Sequence, residues 1–195
     1  MVPVAHLREA LRAALDQDPA PAPGPSDRLA AVVAPFVETP EPSIVFTVRS
    51  NDLSRHAGEI SFPGGLQDPG ETLRETALRE AFEEIGLDPA ATELVGALPA
   101  VHTFVSGILV VPFVGMLDSP PEFTVSDEEI QEVLTFSVAR LAAVERTVKI
   151  AGDGGRVWQG FAYELDGHTI WGVTGWMLHA LLEVVREEAA WLIPA

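Results

Sequence analysis

Three glutamates crowded onto one helical face constrain this chain more than any other feature. From Thr72 to Ile85 the residues follow helical spacing, after a turn at Asp68-Pro69-Gly70 and before Gly86 as a stop signal. Within that stretch Glu80, Glu83 and Glu84 fall at i, i+3 and i+4, so their carboxylates share one side. Like charges that close cost stability unless a cation or a positive side chain compensates them. Three oxygen donors suit a hard divalent ion such as Mg²⁺ or Mn²⁺. Arg79 stands beside them as a bidentate partner. The ordinary fate of such a cluster is a solvated acidic surface, so the surrounding residues have to decide. Leu78, Phe82 and Ile85 are the expected buried stripe of the helix.

Charge narrows the ligands. The 195 residues hold 12 Lys+Arg against 29 Asp+Glu, a net charge of −17, and Lys149 is the sole lysine. Nucleic-acid binding needs clustered positive charge and is excluded as the main role. An anionic ligand must instead find a few local arginines or a bound metal. The chain has no cysteine, which removes disulfides, thiolate zinc sites and thiol nucleophiles, and the expected location is the cytoplasm. The longest apolar run, Gly107 to Leu117, is broken by Pro112 and too short to span a bilayer, so no membrane role is expected.

The chain divides at about residue 27. Met1 to Leu15 has the pattern of an amphipathic helix through Leu7, Leu11 and Leu15, and Pro19, Pro21, Pro23 and Pro25 make an extended linker. Residues 28–195 form the expected domain. A short helix is expected from Arg28 to Val33, then strands at Ser43–Arg49, Thr92–Leu98, Ile108–Met116, Glu132–Phe136, Arg146–Ile150 and Gly160–Leu165. A closing amphipathic helix over Val173–Glu187 turns Met177, Leu181, Leu182 and Val185 inward. Strands around one central helix, with helices at both ends, indicate an α/β (α+β) domain.

The stretch Phe62 to Asp88 decides the matter of the glutamates. Gly65, five residues, Glu71, seven residues, then Arg79-Glu80-Ala81-Phe82-Glu83-Glu84-Ile85-Gly86-Leu87 resembles the Nudix box at each of its seven fixed positions. Ala81 stands where a larger aliphatic residue is usual, which bears on packing. The resemblance implies the Nudix fold, a mixed β-sheet core flanked by helices with the box as a loop–helix–loop. It also implies metal-dependent hydrolysis of a nucleoside diphosphate linked to another group, with Mg²⁺ or Mn²⁺ on Glu80, Glu83 and Glu84. Glu83, Arg79 and Glu129 are its candidate catalytic residues, Glu129 coming from the acidic run Asp127-Glu128-Glu129.

The residues just upstream narrow the substrate. Arg49-Ser50, Leu53, His56, Gly58 and Phe62-Pro63-Gly64-Gly65 resemble the extended motif of the coenzyme A pyrophosphatase branch, with Glu59 in place of the usual glutamine. Weaker likenesses, including Ser106-Gly107 and Ile170-Trp171-Gly172, extend over about residues 28 to 187. Coenzyme A carries a 3′-phosphate besides its diphosphate, and Arg49, Arg55 and His56 supply cations close to the box. Arg49, Ser50, Arg55, His56 and Gly65 are thus the candidate substrate-binding residues. The expected products are adenosine 3′,5′-bisphosphate and 4′-phosphopantetheine. ADP-ribose or a dinucleotide is the alternative substrate, and a nucleotide-binding module without turnover the third reading. Nothing in the sequence sets an oligomeric state.

Overall fold

The computed structural model describes residues 5–24, 26–39, 41–50, 58–103, 107–126, 128–151 and 157–193. The chain begins with α1 (Ala5–Ala14), β1 (Arg28–Val37), β2 (Ser43–Arg49), β3 (Ile60–Ser61) and β4 (Gly64–Leu66). Then come α2 (Leu73–Ile85), β5 (Glu93–Ala97), β6 (Val101–His102), β7 (Ile108–Leu117) and β8 (Ile130–Ser137). It closes with α3 (Val138–Val144), β9 (Arg146–Ala151), β10 (Val157–Leu165), β11 (His168–Ile170) and α4 (Gly172–Glu188). No helix among the described residues is long and apolar enough to cross a membrane.

β1 corrects the sequence reading, which expects helix from Arg28 to Val33. Ala30, Val32 and Ala34 join one apolar cluster, while Ala31 and Val33 join the cluster on the opposite face. A strand buried on both faces loses the polar alternation that marks a half-exposed one, and its alanines make it look helical. β1 pairs with β7 in parallel along ten residues, from Arg28↔Ile108 to Val37↔Leu117.

The other edge of β1 is shared, and this sharing makes the site. Residues Ala30–Val32 pair with β4, whereas Phe36 and Val37 pair with β2. β2 meets β1 at Ser43 and Ile44 and β3 at Thr47 and Val48, with β8 along its opposite edge. β1 and β2 therefore splay apart, and the segment from β3 to β4 enters the fork. Phe62 plugs it, stacked on Phe46 with ring centroids 5.0 Å apart. The Val33 amide donates to the Pro63 carbonyl at 2.8 Å.

Helices cover both faces of the sheet. α2 lies on one, seated through Ala77, Ala81 and Ile85; Phe82, an expected core residue, is 55% exposed, and Leu78 is only half-buried. Two alanines let the helix approach the sheet closely, so the largest side chains are not the buried ones. α1 and α4 cover the opposite face, where Leu7, Leu11 and Leu15 share a cluster with Met177, Leu181, Leu182 and Val185. Arg8 ties α1 to one end of the sheet through Glu38 (2.8 Å), Glu93 (3.0 Å) and Asp118 (2.6 Å).

A second, three-stranded sheet, β9–β10–β11, packs beneath α4. Glu145, between α3 and β9, accepts from Tyr163 Oη at 3.2 Å and Arg186 Nη2 at 3.0 Å, and pairs with His179 Nδ1 at 3.0 Å. The His179 ring stacks on Phe161 at 3.5 Å. Replacing Glu145 by Ala strips the acceptor from three donors that reach it from β10 and α4. Unfolding stability should fall by about 2–4 kcal/mol, measured as a shift of the urea midpoint at constant slope. An unchanged midpoint would mean that the cluster does not hold α4 in place.

Candidate active site

The catalytic-looking helix is defined at both ends by its own sequence. Thr72 caps α2 as a reciprocal box: its Oγ1 accepts from the Glu75 amide at 3.3 Å, and Glu75 Oε2 accepts from the Thr72 amide at 2.7 Å. Gly86 ends the helix at φ 69°, the left-handed conformation that glycine adopts at little cost. Between these caps the helical spacing puts Glu80, Glu83 and Glu84 on the side that faces β4 and the fork.

Arg79 organises the side chains. Its Nε and Nη2 donate to the two oxygens of Glu71 at 2.7 and 3.1 Å, a bidentate pair. Nη1 donates to Glu80 Oε1 at 2.7 Å and to Glu83 Oε2 at 3.1 Å. Nη2 also reaches the Leu66 carbonyl at 3.3 Å, so one guanidinium joins the loop to the helix. The Arg79 hydrogen bonds, with help from Thr76, hold the Glu71 carboxyl down at about 2.

Glu84 differs from its neighbours because it is buried, with only 4% of the residue exposed. Its Oε2 accepts from the Gly64 amide at 3.0 Å, and Arg49 Nη1 lies 3.9 Å from its Oε1. Burial pushes the Glu84 carboxyl up to about 7; the Gly64 amide and Arg49 oppose the rise, whereas Glu129 and Glu80 add to it. A buried carboxylate with two acidic neighbours is a place where a cation is favoured, and the donors are all oxygens, as Mg²⁺ and Mn²⁺ prefer. Among the described residues, no three acidic or histidine side chains close into a cage, and Arg79 engages Glu80 and Glu83.

Two further elements deliver residues to the same place. β2 carries a register shift against β8 between Val48 and Arg49, at the point where the Arg49 side chain turns to Glu84. The loop after β7 docks on the end of α2, with the Thr124 amide donating to Ile85 O at 3.0 Å and the Ser126 amide to Glu84 O at 2.9 Å. Glu129 follows, its amide on Ser126 O at 3.0 Å and its carbonyl accepting from the Ser50 amide at 2.8 Å. The structure thus gathers Glu80, Glu83, Glu84, Arg79, Glu129, Arg49, Ser50 and Gly65. Arg55, His56 and Leu53 lie outside the described residues, as do Ser106 and Asp127. Thr76 is a contributor that the sequence reading misses, since a threonine inside a helix carries no signal of its own.

Gly64 and Gly65 do different work. A Cβ on Gly64, which sits at φ 147°, would meet the Ala31 carbonyl at 2.4 Å; one on Gly65 would meet the Glu80 carboxylate at 2.5 Å. The first obstacle is rigid backbone and the second the tip of a flexible side chain. Gly64→Ala should therefore cost about 1–3 kcal/mol of stability. Gly65→Ala should leave the melting temperature within a few degrees while displacing Glu80 and lowering any turnover on the order of 10²-fold. Thermal unfolding of both variants beside an activity assay checks the contrast, and equal effects on stability would refute it.

A NUDIX domain model matches residues 27–154. Over 159 residues the chain is 36% identical to the uncharacterized Nudix hydrolase NudL of Escherichia coli O7:K1 (strain IAI39), covering 79% of this chain and 81% of that one. A MutT/nudix family protein from Enterococcus faecalis shares the fold at 12% identity with TM-score 0.54, over 96% of this chain and 74% of its own. The NUDIX domain of Shewanella oneidensis NrtR, solved with ADP ribose, does so at 17% identity with TM-score 0.53, over 96% and 98%. Sequence likeness on that scale, with the box intact on the helix and loop that the fold requires, makes this chain a member of the Nudix hydrolase family.

Proposed function

We propose that this Nudix hydrolase splits the diphosphate bridge of coenzyme A or its derivatives, giving adenosine 3′,5′-bisphosphate and 4′-phosphopantetheine. Arg49 carries the reading. Its guanidinium stands 3.9 Å from Glu84, and its buried Nε has no hydrogen-bond partner among the described residues. A spare donor beside a carboxylate cluster, in a chain of net charge −17, suits a phosphate that arrives with a cation. The choice of coenzyme A within nucleoside diphosphate derivatives rests on the likeness of Arg49-Ser50, Leu53, His56, Gly58 and Phe62–Gly65 to the extended motif of that branch.

Nudix hydrolases generally use divalent metals such as Mg²⁺ or Mn²⁺, and here Glu80, Glu83 and Glu84 are the residues that would hold one. When bound, such an ion neutralises charge that develops on the phosphoryl oxygens and makes water a better nucleophile. The remaining work falls to the chain itself. Arg79 holds Glu80 and Glu83 in register with the loop. The proton of the attacking water goes to Glu83 or Glu129, Glu83 being the more exposed member of the helix triad. Arg49, with Ser50, Arg55, His56 and the Gly65 backbone, grips phosphate and orients the bridge for in-line attack.

The test is a substrate panel at one Mg²⁺ concentration, comparing coenzyme A, 3′-dephospho-coenzyme A, ADP-ribose and a diadenosine polyphosphate. Coenzyme A should show the highest kcat/KM, and Glu84→Gln should lower it roughly 10³-fold while the protein stays folded. Arg49→Ala should cost coenzyme A about tenfold more than its dephospho form if Arg49 takes the 3′-phosphate, and equally if it takes the bridge. Preference for ADP-ribose or the dinucleotide would move the assignment to that substrate. Tight binding of all four without turnover would mark a binding module.

A further inference from the structure

The box residues explain how Arg79 holds the carboxylates but leave open what holds Glu71. Glu71 precedes α2, on a flexible side chain whose plane sets the direction of the Arg79 fork. Thr76 is fully buried in α2, and its Oγ1 lies 2.9 Å from Glu71 Oε2 and 3.1 Å from the Thr72 carbonyl. A threonine inside a helix ordinarily spends its hydroxyl on the carbonyl four residues back. Here the carboxylate is both nearer and charged, and so is the stronger acceptor. Glu71 Oε2 thus takes the Thr76 hydroxyl beside Arg79 Nη2 and the longer Asp68 amide bond at 3.3 Å, while Oε1 takes Arg79 Nε. The hydroxyl is the short side-chain contact from α2 that fixes the carboxylate under the fork. Any rotation of that carboxylate passes through the rigid guanidinium to Nη1, which bonds Glu80 and Glu83.

We propose that Thr76 is a positioning residue of the active site, its buried hydroxyl locking Glu71 so that Arg79 sets Glu80 and Glu83. What the lock is for rests on the hydrolase reading, but the lock itself does not. Thr76→Val keeps shape and volume while placing a methyl group against Glu71 Oε2, and Thr76→Ser keeps the hydroxyl.

Three measurements decide the matter. The first is exchange of the Arg79 Nε–H proton by NMR, without metal. The second is Mn²⁺ binding by calorimetry, without substrate. The third is hydrolysis across a Mn²⁺ titration. For Thr76→Val, exchange should quicken and Mn²⁺ affinity fall about three- to tenfold. The kcat should drop at limiting Mn²⁺ and recover at saturation, with KM for the nucleotide unchanged. Thr76→Ser should restore all of these, and Thr76→Ala repeats the test should the valine variant not fold. Wild-type exchange and Mn²⁺ affinity in Thr76→Val would overturn the proposal, as would a serine variant that behaves like valine. Wild-type protein that neither binds Mn²⁺ nor hydrolyses any substrate would sink the hydrolase reading, and the Arg79 exchange comparison would still decide the role of Thr76.

Discussion

One guanidinium is the joint on which the site turns. Arg79 grips Glu71 and the Leu66 carbonyl on the loop side and Glu80 and Glu83 on the helix side. Without it, three carboxylates on adjacent turns would repel, and the loop would lose its charged tie to α2 while keeping the Thr76–Glu71 and Gly64–Glu84 hydrogen bonds. The same bonds hold Glu71 ionised far below the ordinary carboxylate range. The Glu71 arm of the fork therefore stays charged as the pH falls through the ordinary carboxylate range. Glu84 follows the opposite logic: it is buried, loosely compensated, and its charge is left wanting. A fixed pair beside a buried, weakly compensated carboxylate is the arrangement on which the proposed cation site rests.

The sheet supplies the room for this arrangement. β1 pairs with β2 only at Phe36 and Val37, and the two part on the N-terminal side of Phe36. The backbone from Phe62 to Leu66 is therefore drawn into the fork and hydrogen-bonded to β1. Gly64 then presents its amide to Glu84 from a strand rather than from a loose loop. Strands hold position better than loops do, and this precision is what an array of carboxylates requires.

Local chemistry was legible in the sequence and long-range geometry was not. The span of α2, its Gly86 stop and the shared side of the three glutamates follow from spacing alone, and the inward face of α4 is as periodicity predicts. Arg28–Val37 misleads because burial on both faces erases its period. Phe82 misleads because size is mistaken for burial, when the helix in fact seats on alanines. The meeting of Arg49 with Glu84 depends on a register shift in β2 and on β4 lying in the fork, and neither leaves a trace in composition or periodicity. Thr76 shows the same limit at short range, since only the position of Glu71 gives its hydroxyl a task.

The loop that brings Glu129 in is fastened through the Thr124, Ser126 and Glu129 amides and through carbonyls of α2, Ser126 and Glu129. These are groups that nearly every amino acid supplies in the same form. Phe123 and Val125 add packing against the core beneath α2, and Asp118 pairs with Arg8. It is thus the exposed side chains, Glu122, Thr124 and Glu128, that are released from holding the loop, apart from a bar on proline at the donating positions. Mutation at those exposed positions can rewrite the rim of the site without shifting the acidic group behind it. Such a design lets new preferences at the mouth evolve while the hydrolytic machinery stays where it is.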